Sequence, residues 1–146
     1  MLGELLTKDT VRLNVKVKNW EEAIRMGGQL LVQEDAVEQS YVEAMVRAVK
    51  ELGPYIVIAP GFAMPHARAE DGVKKIAMSL LTLESPVAFG NLYNDPVAMV
   101  ICLAAVDHTT HIKAIRELAV FLNDADKMRQ IKSAREVKDV LALLQF

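Results

Sequence analysis

Ile56-Val-Ile-Ala-Pro60-Gly61-Phe62-Ala-Met-Pro65-His66-Ala67-Arg68 is the stretch on which the reading of this chain turns. Its first three residues are a β-branched run that predicts a buried strand, Ile56 to Ile58, and Pro60-Gly61 predicts where that strand stops. Proline fixes φ at about −65° and lacks an N–H donor, so Pro60 and Pro65 stiffen the loop that follows. The loop brings out one histidine, with an arginine two positions on. A stiff loop at a strand end is a common way to hold a reactive side chain still. The spacing alone is equally compatible with a turn histidine that does no chemistry.

Upstream, Val11 to Val17 alternates apolar and polar residues, which predicts a half-exposed, early or edge strand. Asn19, with Glu22 three residues later to close a capping box, predicts the start of a helix whose buried side is Trp20, Ala23, Ile24, Leu30 and Leu31. Gly27-Gly28 predicts that this helix ends or loosens there. Val37, Tyr41, Ala44, Met45, Ala48, Val49 and Leu52 make one apolar stripe at helical spacing, ended by Gly53-Pro54.

Downstream, Ile76 to Leu83 predicts a second buried strand, broken by Glu84-Ser-Pro86, with Pro86 to Phe89 as a short edge strand. Gly90 to Pro96 reads as a turn-rich connection. Val97 to Val106 is the most apolar strand and is expected at the centre of the sheet. Asp107 to His111 reads as a loop, followed by a helix marked by Ile112, Ile115, Leu118, Ala119 and Leu122. Lys127 to Ile131 predicts a short helical piece. Ser133 and Glu136 predict a capping box for a last helix with the stripe Val137, Val140, Leu141 and Leu144. Helices alternate with strands that are apolar on both faces. The expected fold is therefore a single three-layer α/β domain over residues 1–146, with helices on both sides of a mixed parallel and antiparallel sheet.

The bulk composition narrows the function classes. The chain has 146 residues, 52% hydrophobic and 25% charged, values of a globular domain. A net charge of −2 gives no basic footprint for a nucleic-acid partner. No apolar stretch reaches the roughly 18 residues that span a bilayer. Glu4 stands where a secretory leader would carry a basic region. Cys102 is the only cysteine, so no disulfide forms within the chain and the thiol reads as an inert core residue. These features predict a cytoplasmic protein without a cofactor.

All three histidines fall at predicted strand ends. If the strands before His66 and before His108 and His111 are parallel neighbours, both loops open on one sheet edge, where α/β proteins place their sites. A neutral imidazole is a competent nucleophile near pH 7. Phosphoryl transfer needs mainly positioning and charge stabilisation, which a second histidine and Arg68 could supply. Arg68 could equally pair with Glu70 or Asp71. Ser79, Thr82 and Asp107 are weaker candidates. His66, Asp107, His108 and His111 are also of types that bind metals, but the His-x-x-His spacing is shorter than the zinc-helix pattern, so no metal is expected.

The segment Ala59-Pro-Gly-Phe-Ala-Met-Pro-His66-Ala-Arg68, continued through Gly72-Val73 to Leu80-Leu81-Thr82-Leu83, resembles the active-site segment of the enzyme IIA proteins of the bacterial phosphoenolpyruvate:sugar phosphotransferase system, fructose–mannitol superfamily. The string from Gly53 to Arg68 is most similar to the ascorbate-type branch. The resemblance runs from Trp20-Glu-Glu-Ala-Ile24 to the last helix. It implies that His66 is the phosphorylated histidine and His111 the second active-site histidine, while His108 has no counterpart and reads as an exposed loop residue. It implies the phosphocarrier protein HPr as donor, a cognate enzyme IIB as acceptor and, indirectly, a membrane enzyme IIC that handles the sugar. Phe62 and Met64 are then either partner contacts or core. Exposed apolar residues could support a homodimer, though no pattern requires one. The alternative within the same fold is a regulatory phosphorelay domain that controls transcription or nitrogen-linked signalling.

Overall fold

A computed structural model describes residues 2–144; Met1, Gln145 and Phe146, at the ends of the expected domain, lie outside the described residues. The element order is α1 (Leu2–Leu5), β1 (Val11–Val15), α2 (Trp20–Gln33), α3 (Gln39–Leu52), β2 (Val57–Ala59), β3 (Phe62–Ala63), β4 (Ala77–Val87), β5 (Val97–Ala104), α4 (His108–Leu122), α5 (Ala125–Ser133) and α6 (Val137–Leu143). One five-stranded sheet runs in the order β1-β4-β5-β3-β2. β1 is parallel to β4 and β3 to β5, whereas β4–β5 and β2–β3 are antiparallel. The sheet is mixed, as expected, with β5 in its middle.

Period-two alternation sorts the β5 side chains to two cores. Val100, Cys102 and Ala104 join Ala23, Ile24, Tyr41 and Met45 of α2 and α3. Met99, Ile101 and Leu103 join Ala114, Leu118 and Phe121 of α4, Ile131 of α5 and Val140 of α6. Each fully buried Leu, Ile or Met in such a layer stabilises the fold by about 1.5–3 kcal/mol. Three layers are the result: α2 and α3, the sheet, and the remaining helices.

Several local expectations need correction. α2 runs through Gly27-Gly28 to Gln33. The glycines are there for closeness: a Cβ on Gly27 would lie 2.7 Å from Cys102 Sγ, and one on Gly28 2.9 Å from Val42 Cγ2. Their cost in helix propensity is offset by packing α2 tightly on β5 and α3. Glu84-Ser-Pro86 does not end its strand either. β4 continues to Val87, and the register shifts between Thr82 and Val87, so a bulge absorbs the proline instead of a break. Pro86 to Phe89 is thus no separate edge strand.

The Ile56–Ile58 run is half right. β2 is the sheet's edge strand, with Ile56 and Val57 buried and Ile58 45% exposed. Pro60-Gly61 is a hairpin turn, with Gly61 at φ 74°, leading into the two-residue strand β3. At the other end, Ser133 is the last residue of α5, and Glu136 precedes α6 without a side-chain cap bond, so the expected capping box does not form. Other punctuation holds. Asn19 Oδ1 accepts from the Glu22 N–H at 2.9 Å, the Asn19 half of the expected capping box without the return bond from the Glu22 side chain, and Gly53 at φ 87° closes α3.

Candidate active site

The site lies where β3 and β5 end. Because the two strands are parallel neighbours, with Phe62 opposite Met99 and Ala63 opposite Val100, their C-terminal ends open on one edge. The expected juxtaposition of the histidines therefore holds, with β3 rather than the Ile56–Ile58 run as the partner of β5. The loop after β3 carries His66, and the chain after β5 turns at Asp107 into α4. The expected loop Asp107–His111 is mostly helix: Asp107 is its N-cap, accepting from the Thr110 N–H at 2.8 Å, and His108 and His111 occupy the first turn.

His66 and His111 face each other across the cleft with ring centroids 5.5 Å apart, and Tyr55 meets the His66 ring edge-on at 5.9 Å. Tyr41, Arg68 and His108 line the same open cleft of about 500 Å³. His66 Nδ1 lies 2.9 Å from the Met64 carbonyl oxygen. A carbonyl only accepts, so Nδ1 carries the proton and donates, and the neutral ring presents a lone pair on Nε2. Burial, then the nearby charges of His66 and His108, holds the His111 imidazole below its usual value of 6.5. Its Nε2 is buried and, among the described residues, has no hydrogen-bond partner. A buried polar atom without a partner is uncommon.

Arg68 is exposed, with Nε 3.4 Å from Glu70 and 3.6 Å from Asp71, so the alternative of pairing with a neighbouring acid is the one present, while the side chain still lines the cleft. His108 is exposed, but on a helix rather than a loop. Phe62 and Met64 are buried in the core beneath α4 and do not form a contact surface. Ser79 and Thr82 are buried and tied to backbone elsewhere, Ser79 donating to Gly27 O and Thr82 accepting from the Asn14 N–H. Among the described residues no group of three or more His, Cys, Asp or Glu is arranged to hold a metal ion.

Two tyrosines escaped the sequence reading. Tyr55 is 44% exposed beside His66, and Tyr41, taken as one member of an apolar stripe, is fully buried with its hydroxyl against the His66 loop. A signal for the second was available: a tyrosine in an otherwise aliphatic stripe carries a hydroxyl that needs a partner when buried.

Over residues 4–146 the chain matches the family described as "Phosphoenolpyruvate-dependent sugar phosphotransferase system, EIIA 2". It is 42% identical over 141 residues to the ascorbate-specific phosphotransferase-system EIIA component of Salmonella choleraesuis, covering 94% of this chain and 92% of that protein. It is 40% identical to the ascorbate-specific component of Escherichia coli K12, covering 96% and 92%. Among solved structures, the mannitol-specific cryptic phosphotransferase enzyme IIA of Escherichia coli superposes with a TM-score of 0.88 at 33% identity, over 98% of this chain and 97% of that one. The Escherichia coli mannitol enzyme IIA, determined in complex with phosphorylated enzyme IIB, superposes with a TM-score of 0.84 at 30% identity, over 96% and 98%.

Fold and sequence thus agree on a phosphotransferase component that carries a phosphoryl group. The chain belongs to the EIIA type 2 family of the phosphoenolpyruvate-dependent sugar phosphotransferase system.

Proposed function

We propose that this chain accepts a phosphoryl group from phospho-HPr on Nε2 of His66 and passes it to a cognate enzyme IIB, as a step in ascorbate uptake. The observation that carries the choice of atom is the Nδ1–H to Met64 O hydrogen bond at 2.9 Å. It holds the ring in the tautomer whose free lone pair is on Nε2 and fixes its orientation, as a backbone carbonyl does for many reactive histidines. The Nε2 lone pair attacks phosphorus, the N–P bond to His66 forms, and the donor's own bond to phosphorus breaks, its electron pair returning to the donor. The second transfer runs the same way, with a cysteine or histidine of enzyme IIB as nucleophile and His66 as leaving group.

His111 would donate to the phosphoryl oxygens from its unpartnered Nε2. Held below its usual pKa it stays neutral at pH 7, and it stands in the first turn of α4, where the helix dipole favours an anion. Arg68 would turn from Glu70 and Asp71 to the phosphate, a charge-assisted contact. A positioned donor of this kind stabilises the transition state by about 3 kcal/mol, or roughly 10²-fold in rate. Ascorbate as the transported substrate is supported by the identity to ascorbate-specific components. The reading puts the chain in the cytoplasm, in series with a membrane enzyme IIC; no helix among the described residues is long and apolar enough to cross a membrane.

The test is labelling by phosphoenolpyruvate in the presence of enzyme I and HPr. Wild type should gain an acid-labile phosphoryl group, His66→Ala should lose it entirely, and His111→Ala should gain it about 10²-fold more slowly. Labelled protein should then discharge to the enzyme IIB of an ascorbate system in preference to that of a mannitol system. A wild type that competent donors never label would overturn the relay, and equal discharge to both would overturn the substrate.

A further inference from the structure

The strands that frame the site are not joined by regular pairing at their ends. With Ala63 opposite Val100, the parallel register carried forward sets His66 opposite Leu103. One ladder bond of that register is present: the Leu103 N–H donates to Pro65 O at 3.0 Å. The next bond in a parallel ladder would run from the Ala67 N–H to Leu103 O. The Ala67 N–H instead donates to the Tyr41 hydroxyl oxygen at 2.9 Å, and that hydroxyl donates to Leu103 O at 2.6 Å. A side-chain oxygen from α3 is therefore interposed in the β3–β5 ladder at the residue following His66.

We propose that Tyr41 is a positioning residue, whose hydroxyl holds the His66 segment off β5 by the width of one oxygen and so sets the approach of the His66 ring to His111. The hydroxyl satisfies both backbone groups it separates, so the splay leaves no buried donor or acceptor unpaired. Pro65, which has no N–H, removes the preceding ladder donor on the same strand and makes the splay possible. Tyr41, Ala67 and Leu103 line the same cleft as His66 and His111. The phenol is fully buried on α3, and burial holds its pKa well above the usual range, so it keeps the proton that the contact with Leu103 O requires. Tyr41 does not act on the phosphoryl group; it acts through the backbone of Ala67.

The proposal rests on His66 as the phosphoryl acceptor, and the experiment separates the two. In Tyr41→Phe the Ala67 N–H and Leu103 O should close into a direct bond, drawing the ring from its place. Labelling by phospho-HPr should slow about 10- to 100-fold in kcat, as expected for a displacement of about 1 Å, with KM for the donor protein little changed. The ring nitrogen NMR signals of His66 should shift away from the single Nδ1–H tautomer. A Tyr41→Phe protein that is merely less heat-stable, with wild-type kcat and unchanged ring signals, overturns the proposal. Wild-type protein supplies a second measurement that does not depend on the variant folding. Its Tyr41 hydroxyl proton should exchange slowly and show a cross-peak to the Ala67 amide proton; a coupling across a direct hydrogen bond from Ala67 N to the Leu103 carbonyl carbon overturns the proposal. Ring signals that shift in Tyr41→Phe, together with a wild type that competent donors never label, would instead refute the role of His66 and leave that of Tyr41 standing.

Discussion

The two walls of the cleft are held in place by different means. The His111 wall is built locally: Asp107, Thr110 and His111 lie within one helical turn, and the Asp107 side chain caps the helix that carries the histidine. The His66 wall is built from a distance. The α3 region holds the loop through contacts that include the Glu38 N–H on Gly72 O at 2.8 Å, Ser40 Oγ on Asp71 O at 2.9 Å, and the Tyr41 hydroxyl beneath the Ala67 N–H. Asp71 and Gly72 add a turn that accepts the Arg68 N–H on Asp71 Oδ2. His66, the proposed phosphoryl acceptor, thus stands on the wall whose shape depends on the tertiary fold, and His111 on the wall held within one helical turn.

The largest effect that would separate the walls should come from Gly72→Ala. Gly72 sits at φ 134°, and a Cβ there would lie 2.7 Å from Ser40 Oγ and 3.1 Å from Glu38 Cβ. Strain and crowding together should cost about 1–3 kcal/mol, read as a lower urea midpoint, and labelling of His66 should slow as the loop leaves α3. An unchanged midpoint and rate would show that the distant contacts do not set this wall. Asp107→Ala should do less. Losing a helix cap lowers stability modestly, seen as a fall of a few degrees in Tm, with the tautomer signal of His66 unmoved. A shift in the His66 ring signals would mean that the two walls are coupled after all.

The smallest effect should be that of pH. Because the folded-state pKa of His111 lies below the ordinary 6.5, the folded chain binds fewer protons than the unfolded one as pH falls below that value. Stability should decline on acidification through this range and level off once the folded ring is itself protonated. His111→Asn should flatten that part of the profile in parallel denaturant titrations. An identical profile in the variant would remove burial of the ring as its cause.

The same division explains what could be read from the sequence. Gly53-Pro54, the Asn19 cap and the apolar run of β5 act within a few residues, and each is found as expected. The pairing of the histidines is legible from two chain segments that leave one sheet edge, although the strand parallel to β5 is β3 and not the Ile56–Ile58 run. The misses are the features decided by distant partners. Gly27 looks like a helix breaker until Cys102 is placed beneath it. Pro86 looks like a strand end until the β4–β5 register takes it up as a bulge. β3, two residues long, has too little sequence for any period to show, and only its pairing with β5 makes it a strand. Tyr41 falls on the right helix face for a core residue, and nothing in its spacing reveals that Ala67 and Leu103 meet at its hydroxyl.

The close approach of Gly27 to Cys102 also equips the protein with an internal gauge of its own opening. The thiol is fully buried, and burial pushes its pKa up to about 12, so at neutral pH it is neither ionised nor reachable by alkylating reagents or oxidants. Modification must wait until α2 lifts from the sheet. The rate at which iodoacetamide captures this one cysteine in native buffer therefore times the rarest breathing motions of the fold, without an added probe and without disturbing either histidine.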